Sequence, residues 1–231
     1  MNKISEQVKE NYDIIAEFFS HTRHRPWREM EGLRDLVKSG NVIDLGCGNG
    51  RLFELFKDNK KIKYLGIDFS PKMIGVAKKR YLHPPIGVAK AKFKVGDLTC
   101  YILPATCYNA IFLIASYHHI PDKKLRFQTL ENVKKALKDD GVVVLTVWNL
   151  FHKKTMRKVR QSWKRKLLGK ERGGIFDIYY PFNDNGNIVY RYYRMFTPRG
   201  IKKELRKAGF EIFCEERWAK GQNLAFFCRK K

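Results

Sequence analysis

Apolar residues fall in two rhythms along this chain. Over residues 5–19, Val8, Tyr12, Ile15 and Phe19 recur at three- and four-residue intervals, which predicts an amphipathic helix. A basic connector, His21-Thr22-Arg23-His24-Arg25-Pro26-Trp27, leads to a second helix expected over 28–37 and ended by Gly40. Val42, Ile43 and Leu45 belong to a short apolar run of the kind that forms a parallel strand buried on both faces. Further runs at 62–67, 93–95, 110–116 and 142–147 predict four more strands. Helical spacing returns at 51–56, at 71–81 behind the Ser70-Pro71 start, and at 123–138, where Leu125, Leu130, Val133 and Leu137 are expected to face inward. His83-Pro84-Pro85 interrupts the pattern, and Asp139-Asp140-Gly141 is expected to turn the chain into its next strand. A last helix from Thr197-Pro198 to about Ala208-Gly209 precedes a closing strand pair at 210–214 and 224–228. Strands alternating with helices predict an α/β fold with a doubly wound, Rossmann-like sheet.

The most informative junction follows the first strand. Asp44-Leu45-Gly46-Cys47-Gly48-Asn49-Gly50 places glycines at every second position, where backbone must turn tightly and approach a ligand unobstructed. A dinucleotide fingerprint needs a third glycine at position 51, and residue 51 is Arg. The D-x-G-x-G-x-G run instead resembles the first motif of the class I S-adenosylmethionine methyltransferases. That resemblance implies a seven-stranded sheet and S-adenosylmethionine as cofactor. Asp68 ends the second strand about 20 residues beyond the glycines, where an acid takes ribose hydroxyls. Gly96-Asp97-Leu98 ends the third, and in this superfamily an acid in that place holds the adenine amine. The expected cofactor cradle is therefore Asp44, Gly46, Gly48, Gly50, Asp68, Asp97 and Leu98. Tyr117-His118-His119 ends the central strand, where doubly wound sheets place their chemistry.

Charge adds a partner. Forty-seven Lys and Arg against 23 Asp and Glu give +24 in 231 residues, a field suited to nucleic acid or an anionic membrane. Residues 151–174 carry ten basic side chains and one acid, Glu171. Met156, Val159, Trp163 and Leu167 recur there at helical spacing, so a basic amphipathic helix closed by Gly173-Gly174 is expected as an insertion. Lys153, Lys154, Arg157, Arg160 and Lys164 would grip phosphates, joined by Arg194 of the aromatic and basic run Tyr190-Arg191-Tyr192-Tyr193-Arg194. The same helix also suits a membrane surface. The whole chain reads as one domain, with a helical cap over 1–40, a cofactor core over 41–150, the insertion over 151–190 and the end of the sheet over 191–231. Five scattered cysteines without a C-x-x-C pair argue against a zinc site and for a reducing, cytoplasmic setting; no apolar run is long enough to span a bilayer.

A narrower resemblance covers nearly the whole chain. Tyr12, Ile15-Ala16, Phe19-Ser20, Thr22-Arg23 and Pro26-Trp27 are similar to the opening of the eukaryotic tRNA wobble-uridine carboxymethyl methyltransferases. That family includes the methyltransferase domain fused to an AlkB-type oxygenase. The similarity continues through His118-His119 and Val147-Trp148 to Asp177, Pro181, Tyr190 to Tyr193, Phe196 and Asn223. Phe182, Arg194 and Asn149-Leu150 depart from it. The resemblance implies esterification of the carboxylate of 5-carboxymethyluridine in tRNA, and a small zinc-binding activator protein as partner. Carried over, Tyr12 and Arg23 would close on the methionine end of the cofactor or on the substrate, His118 and His119 would border the transferring methyl, and Arg191 would face the uridine side chain.

Other chemistries fit less well. Amino methyltransferases of adenine or cytosine resemble one another in an Asp/Asn-Pro-Pro-aromatic run after the central strand, where this chain has Ala115-Ser116-Tyr117-His118. A pyrimidine C5 enzyme needs a cysteine nucleophile at that strand end, and Cys107 precedes the strand. A quinone or lipid methyltransferase at a membrane surface shares the early motifs and stays open. A non-enzymatic cofactor-binding subunit would require a damaged cradle, and Asp44, Gly46, Gly48, Asp68 and Asp97 are all present.

Overall fold

Alternate residues of the continuous apolar runs face opposite ways, and each face finds its own cover. In the computed structural model, which describes residues 3–81, 89–184 and 186–231, β1 (Gly40–Leu45) sends Val42 into one core and Ile43 and Leu45 into another. Phe112 and Val144 join the first; Ile111, Leu113, Val143 and Leu145 join the second. This double burial is why these strands lack polar alternation.

The strands are β1, β2 (Ile62–Asp68), β3 (Lys90–Val95), β4 (Tyr108–Leu113), β5 (Leu137–Trp148), β6 (Asp177–Asp184), β7 (Asn187–Arg194), β8 (Phe210–Trp218) and β9 (Asn223–Lys230). Seven of them make one sheet in the order β3-β2-β1-β4-β5-β9-β8, parallel from β3 to β5 and antiparallel at β9 and β8. From β1 the chain winds outward through β2 and β3, then returns to lay β4 on the other side. That reversal opens a crevice at the carboxyl ends of β1 and β4. The α-helices are α1 (Lys3–Thr22), α2 (Leu33–Leu36), α3 (Pro71–Tyr81), α4 (Lys123–Ala136), α5 (Lys153–Leu167) and α6 (Pro198–Lys207).

Several expected elements differ. The stretch after the glycines is a 3-10 coil, Arg51–Leu55, because Leu52, Phe53, Leu55 and Phe56 are all buried and a three-residue repeat stacks them in pairs. The helix expected over 28–37 is broken at Gly32 into a 3-10 turn, Arg28–Met30, and the single turn of α2. The central strand stops at Leu113 because Ala115 adopts φ +56°, held by its N–H donating to Thr146 Oγ1 at 2.8 Å. No turn separates α4 from its strand. β5 starts at Leu137, and the ladder steps from Tyr108–Leu137 to Ala110–Val142, so Lys138, Asp139, Asp140 and Gly141 bulge out. Arg126 and Thr129 share the buried face of α4 with Leu130 and Val133. His83-Pro84-Pro85 lies outside the described residues.

The insertion differs most. β6 and β7 form a separate antiparallel ribbon, so the boundary expected at 190/191 falls inside β7 and Arg191 is not in the main sheet. α5 ends at Leu167, short of Gly173-Gly174, and Gly169 takes φ +68° beyond it. Its buried face is Thr155, Val159 and Ser162, while Trp163 and Leu167 of the expected stripe are exposed. Val159 packs with Ile178, Tyr193 and Met195 of the ribbon side, and Ile15 of α1 packs with Phe182 and Val189 at the ribbon's other end. The ribbon thereby bridges α5 and α1 above the crevice.

Candidate active site

One cavity of about 660 Å³ fills the crevice under α1 and the ribbon. Its two ends differ in charge. The first end is the glycine turn. Gly46, at φ +81°, lies against Ser116; a Cβ there would come within 2.3 Å of the Ser116 Cβ. Ser116 Oγ also donates to Leu45 O at 2.6 Å, which ties the ends of β1 and β4 together. Gly48, at φ +54°, has open space where a Cβ would stand, and its N–H donates to Asp68 Oδ2 at 2.8 Å. Asp68 Oδ1 accepts from Ser70 N at 2.9 Å, so this acid braces the loop while lining the cavity. Asp97 forms a local turn, its Oδ1 accepting from Thr99 N and Oγ1 at 2.8 Å, and Asp97 and Leu98 both line the cavity. Gly50 does not; at φ +73° it packs under the loop, where a Cβ would meet Phe93 at 2.8 Å.

Asp44 is buried at the base of this end. Tyr64 donates to its Oδ2 at 2.7 Å, and its Oδ1 has no hydrogen-bond partner among the described residues. Burial pushes the Asp44 carboxyl up to about 7 and Asp68 up to about 6. Arg51, in the place of the missing third glycine, lies 4.7 Å from the centre of the Trp27 ring; burial and the Arg23 charge push it down to about 10. An orphaned acid oxygen, an open cradle at Gly48 and acids at three strand ends fit an adenosyl group with a cationic methionine end. Gly46, Gly48, Asp68 and Asp97 would hold the cofactor, with Asp44 beneath.

The second end is aromatic and basic. His119 Nδ1 donates to Tyr192 O at 2.8 Å, since a carbonyl only accepts. Its Nε2 therefore accepts from the Tyr12 hydroxyl at 3.0 Å, and burial drives the ring's pKa down to about 3. His118 is buried beside it, its Nδ1 without a hydrogen-bond partner among the described residues, and is likewise held well below the usual histidine range by burial and by His119. In both cases burial favours the neutral ring. Arg191 is buried, its Nε without a hydrogen-bond partner among the described residues and its Cζ 4.6 Å from the Phe182 ring centre and 5.4 Å from that of Tyr193. Arg23 lies 4.7 Å from the Phe19 ring and 5.4 Å from Phe182, and its pKa is lowered by burial and Arg191.

Tyr12, Arg23, His118, His119 and Arg191 thus line one cavity with Asp44, Gly46, Gly48, Asp68, Asp97 and Leu98. The residues expected to grip phosphates stand elsewhere. Lys153, Lys154, Arg157, Arg160 and Lys164 are exposed on α5 outside the cavity. Arg194 does not join them: it is paired with Asp177 at 3.7 Å and lies over Phe176. Sequence reasoning missed Arg51 and Lys158, which both line the cavity. Arg51 carried a signal as the residue that breaks the glycine repeat; Lys158 had none to separate it from its basic neighbours.

Comparison with known proteins bears on this site. The family model described as "Methyltransferase domain" matches residues 18–215. A tRNA (carboxymethyluridine(34)-5-O)-methyltransferase of Schizosaccharomyces pombe is 26% identical over 229 residues, covering 90% of each chain. The Xenopus tropicalis protein of the same name is 30% identical over 147 residues; the match covers 63% of this chain and 21% of that longer protein. Among solved structures, a Methanosarcina mazei SAM-dependent methyltransferase superposes with TM-score 0.68 at 18% identity, covering 84% of this chain and 93% of that one. The Haloferax volcanii chain solved in complex with the Trm112 methyltransferase activator superposes with TM-score 0.65 at 16% identity, covering 96% and 97%. At such identities the structural likeness is one of fold.

Proposed function

The chain belongs to the methyltransferase domain family, and from that premise we propose that this S-adenosylmethionine-dependent methyltransferase esterifies the carboxylate of a carboxymethyl-type wobble uridine in tRNA. The observation that carries the reading is the acceptor end of the cavity, where, among the described residues, Arg23 and Arg191 make no ion pair with a carboxylate and both ring nitrogens of His119 are already engaged.

The cofactor supplies a methyl carbon on a cationic sulfur, which keeps the C–S electron pair while an acceptor lone pair forms the new bond. A carboxylate, with an ordinary pKa of about 4, is already ionised near neutrality and has no proton to surrender. The protein's part is then orientation and exclusion of water. Arg191 and Arg23 hold the anion. His119 fixes the Tyr12 hydroxyl, which bears on Arg191 and Tyr193 as well. A ring with a pKa of about 3 is too weak a base for a hydroxyl or amine acceptor at neutral pH. The exposed basic face of α5 would take the tRNA backbone. A small zinc-binding activator is a partner to supply in the assay, by the family resemblance and by the activator bound to the Haloferax volcanii chain.

A second reading, a quinone or lipid acceptor at a membrane surface, is favoured by exposed Leu167, Leu168 and Ile175 among the basic residues near the end of α5. No helix among the described residues is long and apolar enough to cross a membrane.

The test is mass spectrometry of tRNA nucleosides with the gene present and deleted, together with turnover on an anticodon stem-loop bearing carboxymethyluridine. The methyl ester should disappear on deletion, and the single-turnover rate at saturating substrate should stay flat or fall from about pH 5.5 to 8.5. A steep rise with pH that His118→Ala abolishes, or turnover only on vesicle-borne quinone, would overturn the carboxylate acceptor.

A further inference from the structure

Among the basic residues of α5, Lys158 alone lines the cavity. Its Nζ lies 3.7 Å from the centre of the Tyr180 ring and 4.1 Å from that of Trp148. Trp148 stacks on Tyr193 at 4.0 Å and 14°, and Tyr193 carries Arg191 on its ring. Three cations from three parts of the chain, Lys158 of α5, Arg191 of β7 and Arg23 after α1, are thus spaced by aromatic faces around one chamber. Among the described residues, none of the three makes an ion pair with an acid. The charges bearing on Lys158 are Arg191 and Arg23 across the cavity and Arg157 and Lys154 on its own helix, all of one sign, with the Tyr180 face from β6 and the Trp148 face from β5.

Ring faces attract a cation but do not neutralise it. Gathering three like charges out of water is unfavourable unless an anion enters among them. Building on the carboxylate reading above, we propose that Lys158 is a specificity residue that turns from the Tyr180 and Trp148 faces onto the acceptor carboxylate and, with Arg191, makes the site prefer the free acid to its neutral amide and ester. The same preference works on release. Methylation turns the carboxylate into an uncharged ester, so the charge that held the substrate is gone once the reaction is complete.

Lys158 has a further signature. Burial and the neighbouring arginines push it down to about 8, and a bound anion favours its charged form. Affinity for the acid should therefore weaken as pH rises through about 8, while an arginine in its place stays charged throughout.

The experiment measures KM and kcat on stem-loops carrying carboxymethyluridine, and Kd for these and for the matching carbamoylmethyl and methyl-ester stem-loops with S-adenosylhomocysteine present, between pH 6.5 and 9. In the wild type the acid should bind more tightly than the amide or ester, less so above about pH 8. Lys158→Gln should raise KM and cut the acid-to-amide ratio by about tenfold, with kcat changed little. Lys158→Arg should keep the ratio and abolish the alkaline weakening. A Lys158→Gln protein that methylates the acid and keeps the wild-type ratio would overturn the role of Lys158 and leave the acceptor assignment standing. A wild type that neither methylates nor prefers the acid would overturn both.

Discussion

Asp44 shows at the scale of one residue how a binding site can work against its own fold. Its carboxyl is buried, holds one hydrogen bond from Tyr64, and is pushed up to about 7 against an ordinary 3.8, with Asp68 pushed up to about 6. A raised acid binds its proton more tightly in the folded than in the unfolded chain. Its contribution is therefore most favourable below about pH 4 and is lost as pH rises to about 7. Asp44→Asn removes the charge and leaves Tyr64 an oxygen to donate to. At pH 8 the ligand-free variant should be more stable than wild type by on the order of 2 kcal/mol, or about 4–8 °C in melting temperature. At pH 4.5 the difference should shrink towards zero, and the variant should bind S-adenosylmethionine more weakly at both. Melts at the two pH values and calorimetry measure this; a variant equally destabilised at both would refute it. His119 makes the complementary point. The sequence placed it at a strand end, but only its two partners, Tyr192 O and the Tyr12 hydroxyl, assign its tautomer and take up both its nitrogens.

At the scale of an element, α5 divides three ways. Lys158 enters the cavity. Arg165 and Lys166 turn to Glu171, at 2.6 and 3.8 Å, and Glu171 also accepts from Ser162. Arg157, Arg160 and Lys164 stay exposed, and among the described residues no ion pair engages them. The exposed set should therefore govern RNA affinity without governing the fold. Charge reversal at Arg157, Arg160 and Lys164 together should weaken RNA binding and flatten its salt dependence by about 0.7–0.9 in slope per lost phosphate contact, with the melting temperature nearly unchanged. Titrations at several salt concentrations decide it. An unchanged slope, or loss of binding to anionic vesicles in place of RNA, would assign this face to a membrane.

Across the whole molecule the acceptor end depends on a junction far from it in sequence. Glu204 of α6 accepts from Arg126 of α4, the Nη2–Oε1 distance being 3.0 Å, and from the Tyr117 hydroxyl at 2.8 Å, directly before His118. Arg126 also donates to Ile120 O and Pro121 O, pinning the chain just after His119. Arg126→Met should cost about 3–5 kcal/mol by stranding a partly buried carboxylate. Arg126→Met with Glu204→Gln should recover much of that, and double-mutant denaturation curves measure the coupling; simple additivity would show that the contacts are independent. Much of this molecule was legible in the sequence because it is local. The strands follow from apolar runs, the glycine turn from the need for positive φ at Gly46 and Gly48, and the strand-end acids from their distance along the chain. The 3-10 coil after the glycines and the bulge at Asp139-Asp140-Gly141 were not legible, since packing and ladder register decide them over many residues. Nor could the sequence say that Arg191 leaves the main sheet for a ribbon, that Arg194 is spoken for by Asp177, or that Lys158 turns inward among so many similar lysines. Those assignments depend on which aromatic rings and which acids lie within a few ångströms, and only the folded chain brings them there.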